Sequence, residues 1–532
     1  MTDLGVLDYI WLGVLAVFQG PEAFSILGLP ISITVKMVTL GLILGIVVGA
    51  TPGLGSVIAM AISLPILISA FGFTSDALLP VLGFLIGVMK GSTVGGAVPA
   101  ILFNTPGTPD AYMTTLDGYP MAQAGKASKA LRISHFSSVT GDTFSDIVLI
   151  VCAPFLAILV EAYLDLPEKT ALLILSLSFI AAVVGGSAAK GLLSCGLGLL
   201  AVYIGTGEDF YPRLSFGQPA LSDGIPITAA VIGILVIGAI FAELEDLWHQ
   251  TRRTGTIAVA KDQGDQRLHW ADIRRIFPYI SRSALIGTGI GALPGIGSTL
   301  AATIGYATGK RRHARKKATG DPSFGEGAPE GIAATEAANS SVSGANLIPV
   351  LSLGIPGNTA AVFLILAADS IGGFNPGPAV FKFSTDLNPE LVIAFGLFTT
   401  MIIANLLIWT VGGALMRWLG VLVRIPKQHL LPVVLLLTLA SLYVEETSMS
   451  AVWFGSGFGI LGYFMKRFGI SPLPFVIGFV LGGRLEMTAR QAFSATGGDP
   501  FFLLKSPIAA LFILAAVAVV YFSVRKPKAV TP

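Results

Sequence analysis

Charge is what this chain has little of: 12% of its 532 residues are Asp, Glu, Lys or Arg, about half the ~25% usual in soluble domains. A water-soluble fold of this size needs a polar skin, and the material for one is missing, since 53% of the residues are hydrophobic. Cysteine is scarcer still. Cys152 and Cys195 lie in apolar stretches without ligand spacing, so they read as small core residues and imply no disulfide framework. There is no G-x4-G-K-[ST] phosphate loop, because Gly125-Lys126 is followed by Ala127. H-E-x-x-H is also absent, and His135, His249, His269, His313 and His429 are scattered. These gaps argue against an ATPase or a membrane metalloprotease, and the chain is not expected to be an enzyme. The N-terminus lacks the basic region of a cleaved signal peptide, and residues 8–19 read as a short interfacial or spanning helix. A net charge of +2 says little about partners, and nucleic acid is not expected among them.

Apolar runs are abundant instead, at 140–163, 169–206, 223–242, 387–416 and 506–524. Several exceed the roughly 20 residues that a helix needs to cross ~30 Å of hydrocarbon. Within lipid the backbone must satisfy itself, so spanning structure is helical or a closed barrel. The runs are continuous rather than alternating. The expected fold is therefore all-α and polytopic, in a lipid bilayer.

The chain is also written twice. Residues 45–56, GIVVGATPGLGS, and 287–298, GTGIGALPGIGS, share the frame G-x3-G-A-x-P-G-x-G-S at an offset of 242 residues (291 minus 49). GSTVGGA (91–97) and NTPGTP (104–109) are matched in order by NSSVSGA (339–345) and GIPGNT (354–359), the latter pair 250 residues apart (356 minus 106). Ordered motifs at nearly one offset indicate a duplication.

Lys and Arg mark cytoplasmic loops. After the first motif, 71–80 has no basic residue, whereas its counterpart 310–317 reads KRRHARKK. After the second motif the pattern reverses: Lys126, Lys129 and Arg132 in copy one, Lys382 alone in 371–388 of copy two. Opposite signatures on equivalent loops point to inverted-topology repeats, an arrangement common in secondary transporters. The expected organisation is an N-terminal helix (1–30), repeat 1 (31–245), a cytoplasmic linker (246–282), repeat 2 (283–505) and a C-terminal helix and tail (506–532). Arg282 and Lys310 both look cytoplasmic across 27 apolar residues. Two half-helices meeting at Pro294–Gly297 satisfy the charge rule, so a re-entrant hairpin with broken helices is preferred over one long span.

Gly-Pro breaks at membrane depth expose backbone amides at the positive end of a half-helix, where an anion is stabilised, and carbonyls that can hold Na⁺. The candidate substrate residues of copy one are Thr51, Pro52, Gly53, Gly55, Ser56, Lys90, Ser92, Thr93, Asn104, Thr105, Pro106, Gly107 and Thr108. Those of copy two are Pro294, Gly295, Gly297, Ser298, Thr299, Asn339, Ser340, Ser341, Pro356, Gly357, Asn358 and Thr359. Asn104, Thr105, Asn358 and Thr359 are also candidate Na⁺ ligands. Many neutral donors can hold a multivalent carboxylate; the alternative is that these small residues only let helices pack closely. Lys90 looks like a lone cation beside the anion site. Asp110, Glu330 and Glu336 are candidates for proton or cation coupling, since intramembrane ionisable groups are costly. Asp142 and Asp146 are possible relay groups or helix-start residues.

GATPGLGS (49–56), GSTVGGAVPAILFNTPGTPDA (91–111), LDGYPMAQAGKASKAL (116–131), GALPGIGS (291–298) and the run 326–361 resemble the large membrane subunit of tripartite tricarboxylate transporters over nearly the whole chain. The resemblance implies a multi-pass protein of the bacterial inner membrane that takes up a di- or tricarboxylate or related organic anion by symport. Its expected partners are a small four-helix membrane subunit and a periplasmic solute-binding protein. Na⁺ or H⁺ would drive it, with no other cofactor. The rival readings are a passive organic-anion channel and an integral-membrane enzyme.

Overall fold

The computed structural model describes residues 5–19, 22–26, 29–51, 54–183, 187–205, 212–250, 262–316, 321–382, 387–416 and 427–525. Among these the fold is helical, with one short antiparallel hairpin, Glu22–Ile26 against Leu29–Ser32. The N-terminal half contains α1 (Val6–Phe18), α2 (Ile33–Gly49), α3 (Ser56–Phe71), α4 (Leu78–Phe103), α5 (Tyr112–Met121), α6 (Ala127–Tyr163), α7 (Leu166–Val183), α8 (Ala188–Val202), α9 (Ile227–Ile232) and α10 (Gly238–Gln250). The C-terminal half contains α11 (Trp270–Gly291), α12 (Ser298–Lys316), α13 (Pro329–Ala345), α14 (Leu347–Leu353), α15 (Thr359–Ile371), α16 (Pro389–Leu407), α17 (Lys427–Glu446), α18 (Met449–Arg467), α19 (Leu473–Ala495), α20 (Phe502–Lys505) and α21 (Pro507–Arg525).

Among the described residues, six helical stretches are long and apolar enough to cross a bilayer: Ser75–Phe103, Pro109–Tyr163, Leu166–Val183, Ile227–Trp248, Pro389–Met416 and Pro507–Arg525. Others are short. At about 1.5 Å per residue, α2, α3 and α15, with 17, 16 and 13 residues, fall short of a full crossing. Each starts or stops at one of the Gly-Pro motifs.

The duplication reappears in local structure. α2 and α11 end at Gly49 and Gly291, and α3 and α12 begin at Ser56 and Ser298, the 242-residue offset in both cases. At the second motif, Asn104 and Gly354 close α4 and α14 in the left-handed conformation, at φ 53° and 70°. The next amide donates five residues back and one further, Thr105 N to Pro99 O (3.3 Å) and Ile355 N to Pro349 O (3.1 Å). Asn and Gly are the residues that tolerate this backbone, which explains why one replaces the other between copies.

The chain forms two compact units. One comprises Met1–Ala157, His249–Leu293 and Gly297–Leu430; the other comprises Ile158–Trp248, Pro294–Ile296 and Leu431–Pro532. Each draws on both halves of the sequence, so the spatial grouping cuts across the repeat boundaries.

In the first unit, α2 and α4 meet backbone to backbone along two glycine rows. A Cβ at Gly41, Gly45 or Gly49 would lie 2.1–2.4 Å from the carbonyl oxygens of Phe84, Val88 or Ser92, and Gly87, Gly91 and Gly95 face α2 in the same way. The equivalent pair in copy two, α11 and α13, uses Gly287 against Ala338 and Gly291 against Val342 and Ala345. Small residues are the usual means of helix association in lipid, where no hydrophobic force acts between helices. Gly45→Leu is therefore expected to prise α2 from α4, costing at least the ~1–3 kcal/mol typical of overpacking. A thermal melt of the purified protein in detergent checks this; an unchanged midpoint would contradict the close contact.

Loops that the charge pattern assigns to one side touch one another. Ser128 donates to Asp262 and Lys129 pairs with Asp272 at 2.8 Å, joining the basic segment after the first repeat's second motif to the linker. Arg282 of α11 and Arg311, Arg312 and Arg315 of α12 line a common cleft, so α11 and α12 fold back as a hairpin. Part of the linker, 270–282, is the start of α11. At the basic-poor loops, Gly373 lies near Ser75 and Leu78.

In the second unit, glycines again set the contacts. Gly198 of α8 faces the Phe475 carbonyl of α19, and Gly478 of α19 faces Cys195. Cys195 is a buried free thiol in this packing, while Cys152 is free and half-buried.

Candidate functional site

The breaks of each copy lie together. In copy one, Gly107 donates its N–H to Gly96 O at 3.2 Å and sits where a Cβ would strike the Gly49 carbonyl, so the second break rests on the end of α2. In copy two, Gly357 sits against Asn346, at the joint of α13 and α14, and Gly291 against Ala345.

The copies also meet each other within the first unit. α3, which starts at the first break of copy one, packs on α15, which starts at the second break of copy two. The reciprocal contact joins the start of α12 to the turn Pro109–Ala111, where Thr299 Oγ1 donates to Asp110 Oδ1 at 2.6 Å. α4 and α13 pack on each other as well. The half-helices α3, α12 and α15 begin near these contacts, and a helix N-terminus is the end that favours an anion.

Several candidate side chains are committed to local structure. Thr51 donates to Val47 O at 2.9 Å, Thr93 to Met89 O at 3.1 Å and Ser341 to Ala337 O. Asn358 caps α15, its Oδ1 accepting the Ala361 N–H at 2.8 Å, and Thr359 is that helix's first residue. Gly55 precedes Ser56 as the N-terminal cap of α3. Asn104 and Thr105 are exposed, Pro106 is half-buried and Pro356 is buried. Gly297 and Ser298 are half-buried at the start of α12; Pro294 and Gly295 belong to the second unit, with Gly295 at φ 85°. Pro52 and Gly53 lie outside the described residues.

Others are buried with polar atoms that find no hydrogen-bond partner among the described residues: Ser92 of α4, Thr108 of the second break, Asn339 and Ser340 of α13, and Asn346. Both Asn339 and Asn346 leave oxygen and nitrogen unpartnered. Such groups ordinarily cost about 1–3 kcal/mol each and are rare in native folds. Thr108 and Asn346 lie at the second breaks, against Gly96 and Gly357, and the other three lie in the helices that lead into them. Asn346 was not legible as a candidate; its only signal was its place one residue after NSSVSGA.

The ionisable candidates separate by environment. Glu330 is buried and is bonded by Arg275, which also reaches Asp321 at 3.1 Å, so it belongs to an ion-pair network. Glu336 is fully buried and accepts hydroxyl bonds from Thr114 and, at 2.8 Å, Ser138. Lys90 is not a lone cation: its ammonium meets Asp142 at 2.8 Å, Asp146 at 2.7 Å and Asn405 Oδ1 at 3.3 Å. Asp117, from LDGYP, accepts the backbone N–H groups of Gly325, Gly327 and Ala328 at 2.8–3.0 Å. It fixes the approach to α13, and its role was hidden in the sequence by a separation of some two hundred residues.

Apolar spanning helices, interrupted by Gly-Pro breaks and lined there by buried hydroxyls and amides, define a polytopic membrane transport protein. Residues 35–477 match the tripartite tricarboxylate transporter TctA family, and the chain belongs to that family. It is 32% identical over 486 residues to an uncharacterized 52.8 kDa protein in the TAR-I ttuC' 3'region of Agrobacterium vitis, covering 90% of this chain and 91% of the relative. An uncharacterized protein in the TAR-II ttuC' 3'region of the same organism is 32% identical over 225 residues, 42% of this chain and 88% of the relative. No solved structure matches.

Proposed function

We propose that this chain is the large membrane subunit of a binding-protein-dependent system in the bacterial inner membrane. It takes up a di- or tricarboxylate or related organic anion by symport with Na⁺ or H⁺. The observation that carries this reading is the set of buried, unpartnered donors and acceptors on Ser92, Thr108, Asn339, Ser340 and Asn346, in the segments that lead into the second breaks. Polar atoms that cost stability in the empty protein are what a carboxylate would satisfy on arrival. A binding step that removes several such penalties at once gives an anion affinity without a free buried cation. Sequence kinship supports the partners, a small four-helix membrane subunit and a periplasmic solute-binding protein.

Two repeats of opposite orientation explain the loop contacts. Loops rich in Lys and Arg meet at Lys129–Asp272 and at the four-arginine cleft, while the basic-poor loops meet at Gly373 and Ser75. Rocking one repeat against the other then exposes the breaks to each side in turn.

The test is reconstitution of the chain with its small subunit in lipid vesicles, supplied with binding protein and radiolabelled citrate or succinate. Accumulation above the outside concentration is expected only under an inward Na⁺ or H⁺ gradient, and should stop when ionophores collapse it. Citrate and succinate that equilibrate at the same rate without gradients would establish a passive channel instead.

A further inference from the structure

Four helices of the first unit enclose an ion cluster that the substrate site does not use. Lys90 comes from α4, Asp142 and Asp146 from α6, Asn405 from α16 and Ser343 from α13. Lys90, Asp142 and Asp146 are no more than 3% exposed.

The bonds can be counted atom by atom. An ammonium has three protons to donate, and Lys90 has three acceptors: Asp142 Oδ2, Asp146 Oδ2 and Asn405 Oδ1. Asp142 Oδ1 accepts from Ser343. Asp146 Oδ2 accepts a second bond, from Asn405 Nδ2 at 2.7 Å. Asp146 Oδ1 alone is buried without a partner. One cation faces two carboxylates, so an unprotonated cluster carries one uncompensated negative charge, and Asp146 Oδ1 is the carboxylate oxygen in it that no donor reaches. Burying a charge without compensation is costly enough that the site must acquire a positive charge from outside.

We infer that Asp146 Oδ1 binds and releases the proton that couples transport, a step that rests on the symport reading above. Its lone pair takes H⁺ from water on one side, forming an O–H bond. Release on the other side breaks that bond and returns H⁺ to water, with no change in oxidation state. The surroundings favour a proton over Na⁺. A metal ion needs several oxygens around it, and here the other carboxylate oxygens are held by Lys90, Asn405 and Ser343. Oδ1 is also pressed against the backbone of Gly344, where even a Cβ would come within 2.2 Å of it. The charged groups facing Asp146 are Lys90 from α4 and Asp142 from α6 itself; α13 and α16 present Ser343, Gly344 and Asn405. α13 carries both Ser343 beside this cluster and, about one turn earlier, the unpartnered Asn339 and Ser340. Movement of that one helix thereby links proton binding to the substrate.

Asp146→Asn tests the assignment in vesicles holding the chain, its small subunit and binding protein. Gradient-driven citrate accumulation is expected to fall to the equilibrium level, while citrate–citrate exchange stays within about twofold, because the variant resembles the protonated state. Accumulation equal to the parent's would overturn the inference. So would a parent that accumulates citrate on a Na⁺ gradient with no proton movement. A second readout needs no substrate: pH-difference infrared spectra of the purified complex should show a carboxylic-acid C=O band that Asp146→Asn lacks and Glu336→Gln keeps. Identical bands in parent and Asp146→Asn would overturn it. Should Asp146→Asn not be recovered folded, Asp146→Glu must shift the midpoint of that band along the pH axis; an unmoved midpoint counts against the proposal. A parent that moves neither citrate nor succinate under any gradient defeats the transport reading, and the infrared result then decides Asp146 by itself.

Discussion

Lys90→Met is expected to lower the melting midpoint of the purified protein far below the parent's. The substitution leaves Asp142 and Asp146 facing each other at the centre of four helices with no cation between them. Breaking a buried pair by removing one partner costs about 3–5 kcal/mol, a large share of the ~5–15 kcal/mol that holds a typical fold together. The charge count gives an order that can be checked. Asp146→Asn leaves a neutral Lys90–Asp142 pair and should melt at or above the parent, whereas Lys90→Met should melt far below it. Lys90→Met/Asp142→Asn/Asp146→Asn removes every charge and should recover most of the loss, because replacing a whole buried ion group by neutral residues is often harmless to stability. Thermal melts of the detergent-purified variants settle the order. A stable Lys90→Met protein would mean that the cluster is wet or apart.

Why was this cluster only half visible in the sequence? Lys90 stood out because a lysine inside an apolar helix is rare. Its partners lie 52, 56 and 315 positions away, and no local pattern announces contacts of that range. One signal was available: Asp142 and Asp146 are four residues apart, hence on one face of a helix, in a segment that turns apolar soon after. The breaks were legible for the opposite reason. Glycine and proline act locally, so repeated motifs at offsets of 242 and 250 residues translate directly into repeated helix ends. Helix beginnings hidden by charge were harder. α6 starts at Ala127 and α11 at Trp270, well before their apolar stretches, because Lys129 and Asp272 turn their polar faces toward each other. Exposure of Asn104 beside burial of Thr108, four residues on, is likewise set by packing against Gly96 and not by composition.

Asn339→Ala and Asn346→Ala should move stability and transport in opposite directions. Both side chains are buried, and neither amide finds a partner among the described residues. In a residue whose role is structural, alanine removes satisfied bonds and the protein melts earlier. Here alanine removes a desolvation penalty of about 1–3 kcal/mol per group, so the melting midpoint should hold or rise. Uptake should fall, because a hydrogen bond to a charged ligand is worth about 1.5–3 kcal/mol and each ~1.4 kcal/mol is tenfold. The expected loss is roughly ten- to a hundredfold in the ratio of maximal uptake rate to half-saturating citrate concentration for either variant. Asn358→Ala supplies the contrast. Its Oδ1 caps α15 through the Ala361 amide, so its loss should lower stability by the ~0.5–2 kcal/mol of a missing cap. Residues that hold the breaks in place and residues that await a ligand thus give opposite signs in the same pair of measurements. Parallel losses of stability and uptake at Asn339 and Asn346 would assign them to packing. Opposed effects make sense if the buried amides are kept unsatisfied for a carboxylate, an arrangement in which binding gains what folding gives up.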